Sequence, residues 1–289
     1  MFVSVVIPSF NRPESTLRAV RSALGQTFPV AEVIVVDDAS EPALDQEALR
    51  ALDPRVDVHR LSRNSGASAA RQYGIDHARG EVLAFLDSDD VWDAGKLEAQ
   101  MPALLSAGSE PVAVSCGWRE RKQNGLIARS RIPVEAARPI DFASGCWFCP
   151  GSTVILLRAS FELVGPLDLR LRRLEDFDWF ARFGLVGGRL LVVPQVATEI
   201  AVGRRARSAS VEPAAATILD KPIWKRELRS DEHRALRAWI EVERVRALLN
   251  DGRRARAAMH LVRSFALVPR RSIQLRDWWA RADRQDVLV

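Results

Sequence analysis

The sequence predicts an α/β fold, a mainly parallel sheet flanked by helices, followed by a helical C-terminal extension. Three observations carry this. Short apolar runs of β character alternate with stretches of helical periodicity through the first two hundred residues. Each early run ends in a polar cluster, and the carboxyl edge of a parallel sheet is where such folds bind ligands. Beyond Ala201 the strand-like runs stop and the pattern becomes helical and basic. The predicted division is 1–205 for the α/β domain and 206–289 for the helical region.

In chain order, residues 2–8 form a first strand, and Pro13 opens a helix in which Leu17, Val20 and Leu24 share a face. Residues 31–36 are a second strand ending in Asp37-Asp38, and residues 41–52 read as a helix. Residues 56–61 alternate as a third strand. Asn64-Ser-Gly leads into a helix over 67–77, with Gly80 behind it. Residues 82–86 are five apolar residues running straight into Asp87, Asp89 and Asp90. A helix over 96–105 and a strand over 111–116 follow. Residues 117–150, rich in Arg, Gly and Pro, read as an extended region and a mobile lid. Further strands are expected at 152–157 and 189–193, with helices at 160–164 and 174–183. The tail predicts helices at 214–229, 231–250, 252–268 and 272–284.

Composition narrows the function classes. At 289 residues and 47% hydrophobic the chain can bury a large core. No window approaches eighteen uncharged apolar residues. The first residues lack a basic segment and read as a strand, so the expected location is the cytoplasm. Three cysteines agree with a reducing compartment. Cys146 and Cys149 form a C-x-x-C, but Pro150-Gly151 breaks the helix a redox motif would need, and no second pair suggests zinc. They read as buried or loop thiols. The net charge of +5 is uneven: from Ala201 onward 20 Lys and Arg face 11 Asp and Glu, leaving the first two hundred residues acidic. No zinc-finger spacing or aromatic-basic signature accompanies the basic tail, which argues against nucleic acid.

Three carboxylates at the end of an apolar strand repel one another and lose hydration. A divalent cation is the usual compensation, and oxygen ligands without Cys or His suit Mg²⁺ or Mn²⁺. The alternative is a solvated loop in which Asp90 or Asp93 caps the helix near Ala94.

Four motifs in order, Ser4-Val-Val-Ile-Pro-Ser-Phe-Asn-Arg, Val35-Val-Asp-Asp-Ala-Ser, Asn64-Ser-Gly-Ala-Ser-Ala-Ala-Arg and Phe85-Leu-Asp-Ser-Asp-Asp, resemble the family 2 glycosyltransferases. These are inverting enzymes of the Rossmann-like GT-A fold. Leu174-Glu-Asp-Phe-Asp is similar to that family's acidic pair, and together the motifs cover roughly residues 2–200. The resemblance implies that Pro8, Phe10 and Asn11 line a nucleotide pocket and that Asp37 or Asp38 accepts a hydrogen bond from the base. It places Arg71 near the phosphates, with Asp87 and Ser88 in the donor site. Asp89, helped by Asp87 or Asp90, would hold Mn²⁺ or Mg²⁺ on the diphosphate. Asp176 would be the general base that deprotonates the acceptor hydroxyl, with Glu175 in support. The implied donor is a nucleotide-diphosphate sugar, uridine by default. The acceptor would be a saccharide or a lipid-linked one, in cell-surface polysaccharide or glycoconjugate synthesis.

Two positions depart from the family pattern. Gln72 follows Arg71 where Asn is usual, and Gly203-Arg-Arg-Ala-Arg-Ser offers Arg204, Arg205 and Ser208 to the diphosphate without a His. In the tail, Arg253, Arg254, Arg256 and Arg263 lie beside Met259, Val262 and Phe265, with Trp278-Trp279 further on. Such a helix can lie on anionic lipid at the inner face of a membrane. The favoured reading is packing on the catalytic domain with Arg outward. A phosphoacceptor receiver domain is a rival, weakened by the lack of a suitably placed Lys, since Lys occurs only at 96, 122, 221 and 225. A sugar-nucleotide-forming nucleotidyltransferase would need a Gly-rich loop after the first strand. A catalytically inactive domain of the same fold is the last alternative.

Overall fold

Residues 1–85 build a four-stranded parallel half-sheet. In the computed structural model, which describes residues 1–122, 124–202 and 206–269, the order is β1 (Val3–Ser9), α1 (Pro13–Leu24), β2 (Glu32–Asp37), α2 (Gln46–Arg50), β3 (Val56–Arg60), α3 (Ala67–His77) and β4 (Val82–Phe85). The strands lie side by side as β3-β2-β1-β4. Every residue of β1, β2 and β4 is buried, so these strands are mostly apolar instead of alternating. The expected helix over 41–52 shrinks to α2, where Asp45 caps by accepting from the Ala48 N–H.

Beyond β4 antiparallel strands join the parallel half-sheet. The chain continues through β5 (Val91–Trp92), α4 (Lys96–Ser106), β6 (Val112–Arg121), β7 (Ile127–Arg131), α5 (Pro139–Ala143) and α6 (Pro150–Thr153). It then adds β8 (Ile155–Leu157), α7 (Arg158–Val164), α8 (Glu175–Leu185) and β9 (Arg189–Ala201). The sheet order is β3-β2-β1-β4-β8-β6-β9-β5, with β7 on β6. β8 runs antiparallel to both β4 and β6, while β6 and β9 are parallel. The sheet is therefore mixed. β8 enters from the edge where β4 ends, and that return brings Ser152 beside Asp87.

Residues 117–150 are not a structureless lid. β6 runs ten residues to Arg121 and pairs with β7 and β9. Arginine makes this stretch look solvated, but its arginines are paired: Arg119 with Asp93 and Glu199, Arg121 with Glu199, and Arg131 with Glu120. Likewise the strand expected over 152–157 starts as the helical turn α6.

The tail forms α9 (Ser208–Leu219), α10 (Pro222–Glu227), α11 (Ser230–Asn250) and α12 (Arg254–Leu267). Ala214, Ile218, Trp224, Leu236, Trp239 and Ile240 share one apolar cluster with Ala143, Leu171, Phe177 and Ala181 of the α/β part. Burying large apolar side chains contributes about 1.5–3 kcal/mol each. Lys221 adds ion pairs, its Nζ lying 2.5 Å from Asp178 and 2.8 Å from Asp168. α12 packs on α11 through Ala257 and Leu261, while Met259, Val262 and Phe265 stay exposed. Arg204, Arg205 and the expected helix at 272–284, with Trp278 and Trp279, lie outside the described residues. Among the described residues no helix is long and apolar enough to cross a membrane.

Candidate active site

The carboxyl ends of β1 and β4, the start of α3, the start of α8 and one face of α11 enclose a cavity of about 680 Å³. That is within the range of small-molecule sites. Pro8, Phe10, Asp38, Arg71, Ser88, the carboxylates of residues 87, 89 and 90, and the Glu175-Asp176 pair all line it.

Of the adjacent acids after β2, only Asp38 reaches the cavity. Asp37 is fully buried and already accepts from the Ser40 and Leu44 N–H groups and from Arg60. Asp38 receives the Ser65 N–H at 2.7 Å and the Gly66 N–H at 2.8 Å, which fixes the turn leading into α3. Asn11 is not among the lining residues. It adopts a left-handed φ of 54° and accepts from the Glu41 N–H, organising the loop behind Phe10.

Arg71 is buried and sits among acids. Its Nη2 donates to Asp87 Oδ1 at 2.9 Å, and Nη1 lies 3.4 Å from both Glu175 and Asp176. Burial works against its charge, but Asp176, Asp87 and Glu175 outweigh that and hold it more firmly protonated than in water. The resemblance placed Arg71 near phosphates; here its guanidinium joins the strand-end acids to the α8 acids.

The strand-end acids are under-compensated. Burial and the neighbouring Asp87 raise Asp89, although Arg12 stands 2.9 Å away. Burial, Asp87 and Asp89 push Asp90 up further, despite hydrogen bonds from Ser152 at 2.5 Å and the Ala201 N–H at 2.8 Å. Gly151 lies against this cluster, and a Cβ there would come within 2.5 Å of Asp87 Oδ2. Among the described residues no three His, Cys, Asp or Glu side chains converge as a metal cage. Mg²⁺-like ions are commonly held by one or two carboxylates, with substrate phosphates and water completing the shell. The raised carboxylates fit that mode.

Asp176 opens α8 after Leu174, which holds a left-handed φ of 61°. Burial, Glu175 and Asp87 push the Asp176 carboxyl up to about 7, although Arg71 and Arg173 oppose the shift. A carboxylate near 7 is suited to general-base work at neutral pH. Burial also raises both C-x-x-C thiols, Cys146 well above the ordinary range, which holds them as thiols in the free protein at neutral pH.

Sequence reasoning left several neighbours unassigned: Arg12, Ser152, Cys146, Arg173, Trp239, Glu243 and Arg246. Arg12 stands inside the first motif and was within reach. Arg173 directly precedes the Leu174-Glu-Asp motif and was also within reach, whereas Cys146, Ser152 in α6 and the three α11 residues stand where no local spacing ties them to the strand-end acids.

A mixed sheet with an acidic carboxyl edge, covered by C-terminal helices, defines this chain as an α/β domain of the GT-A class. It belongs to the glycosyl transferase family 2, whose model matches residues 4–164. Among curated relatives, the succinoglycan biosynthesis protein ExoO of Rhizobium meliloti is 31% identical over 203 residues, covering 66% of this chain and 58% of that protein. The Escherichia coli UDP-Glc:alpha-D-GlcNAc-diphosphoundecaprenol beta-1,3-glucosyltransferase WfgD is 36% identical over 103 residues, covering 36% of this chain and 41% of that one. The chain spans roughly half the length of the curated relatives it matches. Crystal structures of S. aureus TarS share the fold. The full structure superposes with a TM-score of 0.57 at 18% identity over 90% of this chain and 54% of that one. The 1–349 fragment in complex with UDP gives 0.55 at 17%, over 90% and 89%. Membership of this family sets the receiver-domain reading aside, and no lysine lines the cavity among the described residues.

Proposed function

We propose that the protein is an inverting, metal-assisted glycosyltransferase that moves a sugar from a nucleotide-diphosphate donor to an acceptor hydroxyl. The arrangement carrying this is the one cavity that joins the strand-end acids to Asp176 through Arg71. Asp38 and Phe10 are suited to the base and Ser88 and Asp87 to the rest of the donor. Arg12, 2.9 Å from Asp89, adds a cation beside the diphosphate position. Asp89, with Asp87, would hold Mn²⁺ or Mg²⁺. When bound, that ion supplies positive charge to the leaving diphosphate.

Asp176 takes the proton of the acceptor hydroxyl, whose oxygen bonds to the anomeric carbon. The bond from that carbon to the diphosphate breaks, and its electron pair leaves with the nucleotide. Attack opposite the leaving group inverts the anomeric centre. Glu175 adds negative charge beside Asp176, and Arg71 balances both.

Uridine is the proposed base, supported by the names of a UDP-Glc-using relative and of a UDP complex with this fold. Cell-surface polysaccharide or glycoconjugate synthesis is the proposed setting, with a saccharide or lipid-linked acceptor. Contact with anionic lipid at the cytoplasmic face is supported by α12, where Arg254, Arg256 and Arg263, with Arg253 at the N-cap, accompany exposed Met259, Val262 and Phe265. Failure to float with anionic vesicles would remove that last element. The donor reading is tested by a thermal-shift panel of UDP, dTDP, GDP and CDP, each with and without Mn²⁺. Stabilisation by one nucleotide, larger with metal, is expected; no shift with any would overturn the donor site.

A further inference from the structure

The donor and base residues do not account for the whole cavity. Trp239, Glu243 and Arg246 also line it, and all three come from α11. Their spacing of four and three places them on one helix face. α11 lies far beyond the family match, which ends at residue 164. This wall therefore belongs to a part of the chain outside the donor motifs.

The α11 wall stands next to the proposed base. Phe177, which follows Asp176 in the chain, has its ring centroid 6.1 Å from that of Trp239. Cys146 links the same two groups: after burial itself, the charges of Asp176, Cys149, Glu243 and Glu175 raise its thiol. Trp239 is held rigidly, since its indole lies on Gly145, where a Cβ would approach within 2.5 Å of the ring. Arg246 extends the arrangement, its guanidinium carbon 5.6 Å from the indole centroid.

Glu243 and Arg246 form an ion pair at 2.7 Å, with 11% and 26% of their side chains exposed. A charge-balanced pair in a partly dry wall offers hydrogen-bond acceptors and a planar donor fork without net charge. That suits the adjacent hydroxyls of a pyranose, while Trp239, only 5% exposed and packed on Gly145, gives the pair a fixed apolar backing. It does not suit a phosphate or carboxylate, because Glu243 and the Glu175-Asp176 pair would repel an anion at short range.

We propose that Trp239, Glu243 and Arg246 form the acceptor subsite, and that it takes a neutral pyranose and presents one hydroxyl to Asp176. The assignment rests on the glycosyltransferase reading above. In it the N-terminal half selects the donor, and the tail helix selects the acceptor.

The test uses Glu243→Gln and Arg246→Lys in the full chain. Glu243→Gln keeps the side-chain shape, and Arg246→Lys keeps the charge but removes the fork. The readouts are each variant's unliganded Tm, its UDP-induced Tm shift with Mn²⁺, and transfer from a UDP-sugar panel to p-nitrophenyl β-glycosides of glucose, galactose and N-acetylglucosamine. The expected result is an acceptor KM raised about tenfold or more, with the UDP-induced shift at its wild-type size. Wild-type acceptor KM in both variants would overturn the proposal. So would a wild-type protein that is stabilised by UDP yet transfers to no glycoside. A wild-type protein stabilised by no nucleotide would instead defeat the underlying donor reading.

Discussion

Arg71 donates to Asp87 at 2.9 Å from one guanidinium nitrogen while the other lies 3.4 Å from Asp176. One buried cation thus ties the donor carboxylates to the proposed base, from the first turns of α3. Its fork geometry is what lets it serve both sides, and lysine cannot reproduce it. Arg71→Lys is expected to lower kcat/KM on the order of a hundredfold and to move the acid limb of the pH profile upward, because an ammonium that cannot reach both sides opposes the rise of the Asp176 carboxyl less than the Arg71 fork does. A steady-state pH profile checks both. A wild-type profile in the variant would show that Arg71 is merely structural.

The Asp176 carboxyl, pushed up to about 7 by burial and its acidic neighbours, sets a pH dependence. Transfer needs the ionised form, so the rate is expected to fall about tenfold per pH unit below 7. Stability runs the other way. The folded value lies above the ordinary 3.8, so the protonated group's contribution is complete below 3.8 and is lost as pH rises through 7. Above pH 7, Asp176→Asn should therefore be more stable than the wild type by about 2 kcal/mol, the full linkage being reduced by partial exposure. Thermal melts at pH 5 and 8 measure the difference, which should shrink at the lower pH.

Asp89→Ala separates metal from fold. It should abolish the Mn²⁺-dependent part of nucleotide stabilisation. Asp89 also contributes to the repulsion on Asp90, so the unliganded Tm should hold or rise by about 2 °C. A variant that keeps the full Mn²⁺ effect would move the metal to another carboxylate.

Lys221 reports on how the tail is anchored. Its ammonium pairs with the fully buried Asp178 and with Asp168. Lys221→Ala leaves Asp178 with Arg182 at 3.2 Å as its remaining ionic partner, and should cost about 2–3 kcal/mol. Urea unfolding followed by tryptophan fluorescence gives the number. A loss below about 0.5 kcal/mol, the range of exposed pairs, would show that the pair is not part of the docking.

What was legible in the sequence was local. The run of residues 82–86 into three aspartates fixed both a strand end and an acidic edge, because burial and the turn follow from the same few residues. Asp37 and Asp38 were not separable, since neighbouring residues at a strand end face opposite ways and sequence alone does not say which faces in. The arginines of β6 look solvated in sequence because Asp93 and Glu199 lie far along the chain, and those of β7 because Glu120 reaches them only once β6 and β7 pair. The α11 wall was hidden for a similar reason. Helical periodicity marks Trp239 as buried, but the cavity it meets is assembled from the ends of β1 and β4, the starts of α3 and α8 and the end of β9, none of them a neighbour in sequence.

The most direct measurement is sugar transfer by Asp176→Asn alongside its UDP-induced thermal shift with Mn²⁺. Transfer should be lost while the shift stays at its wild-type size, because Asp176 meets the acceptor proton and Asp89 holds the donor end. Loss of both together, or transfer that survives the substitution, would contradict Asp176 as the base.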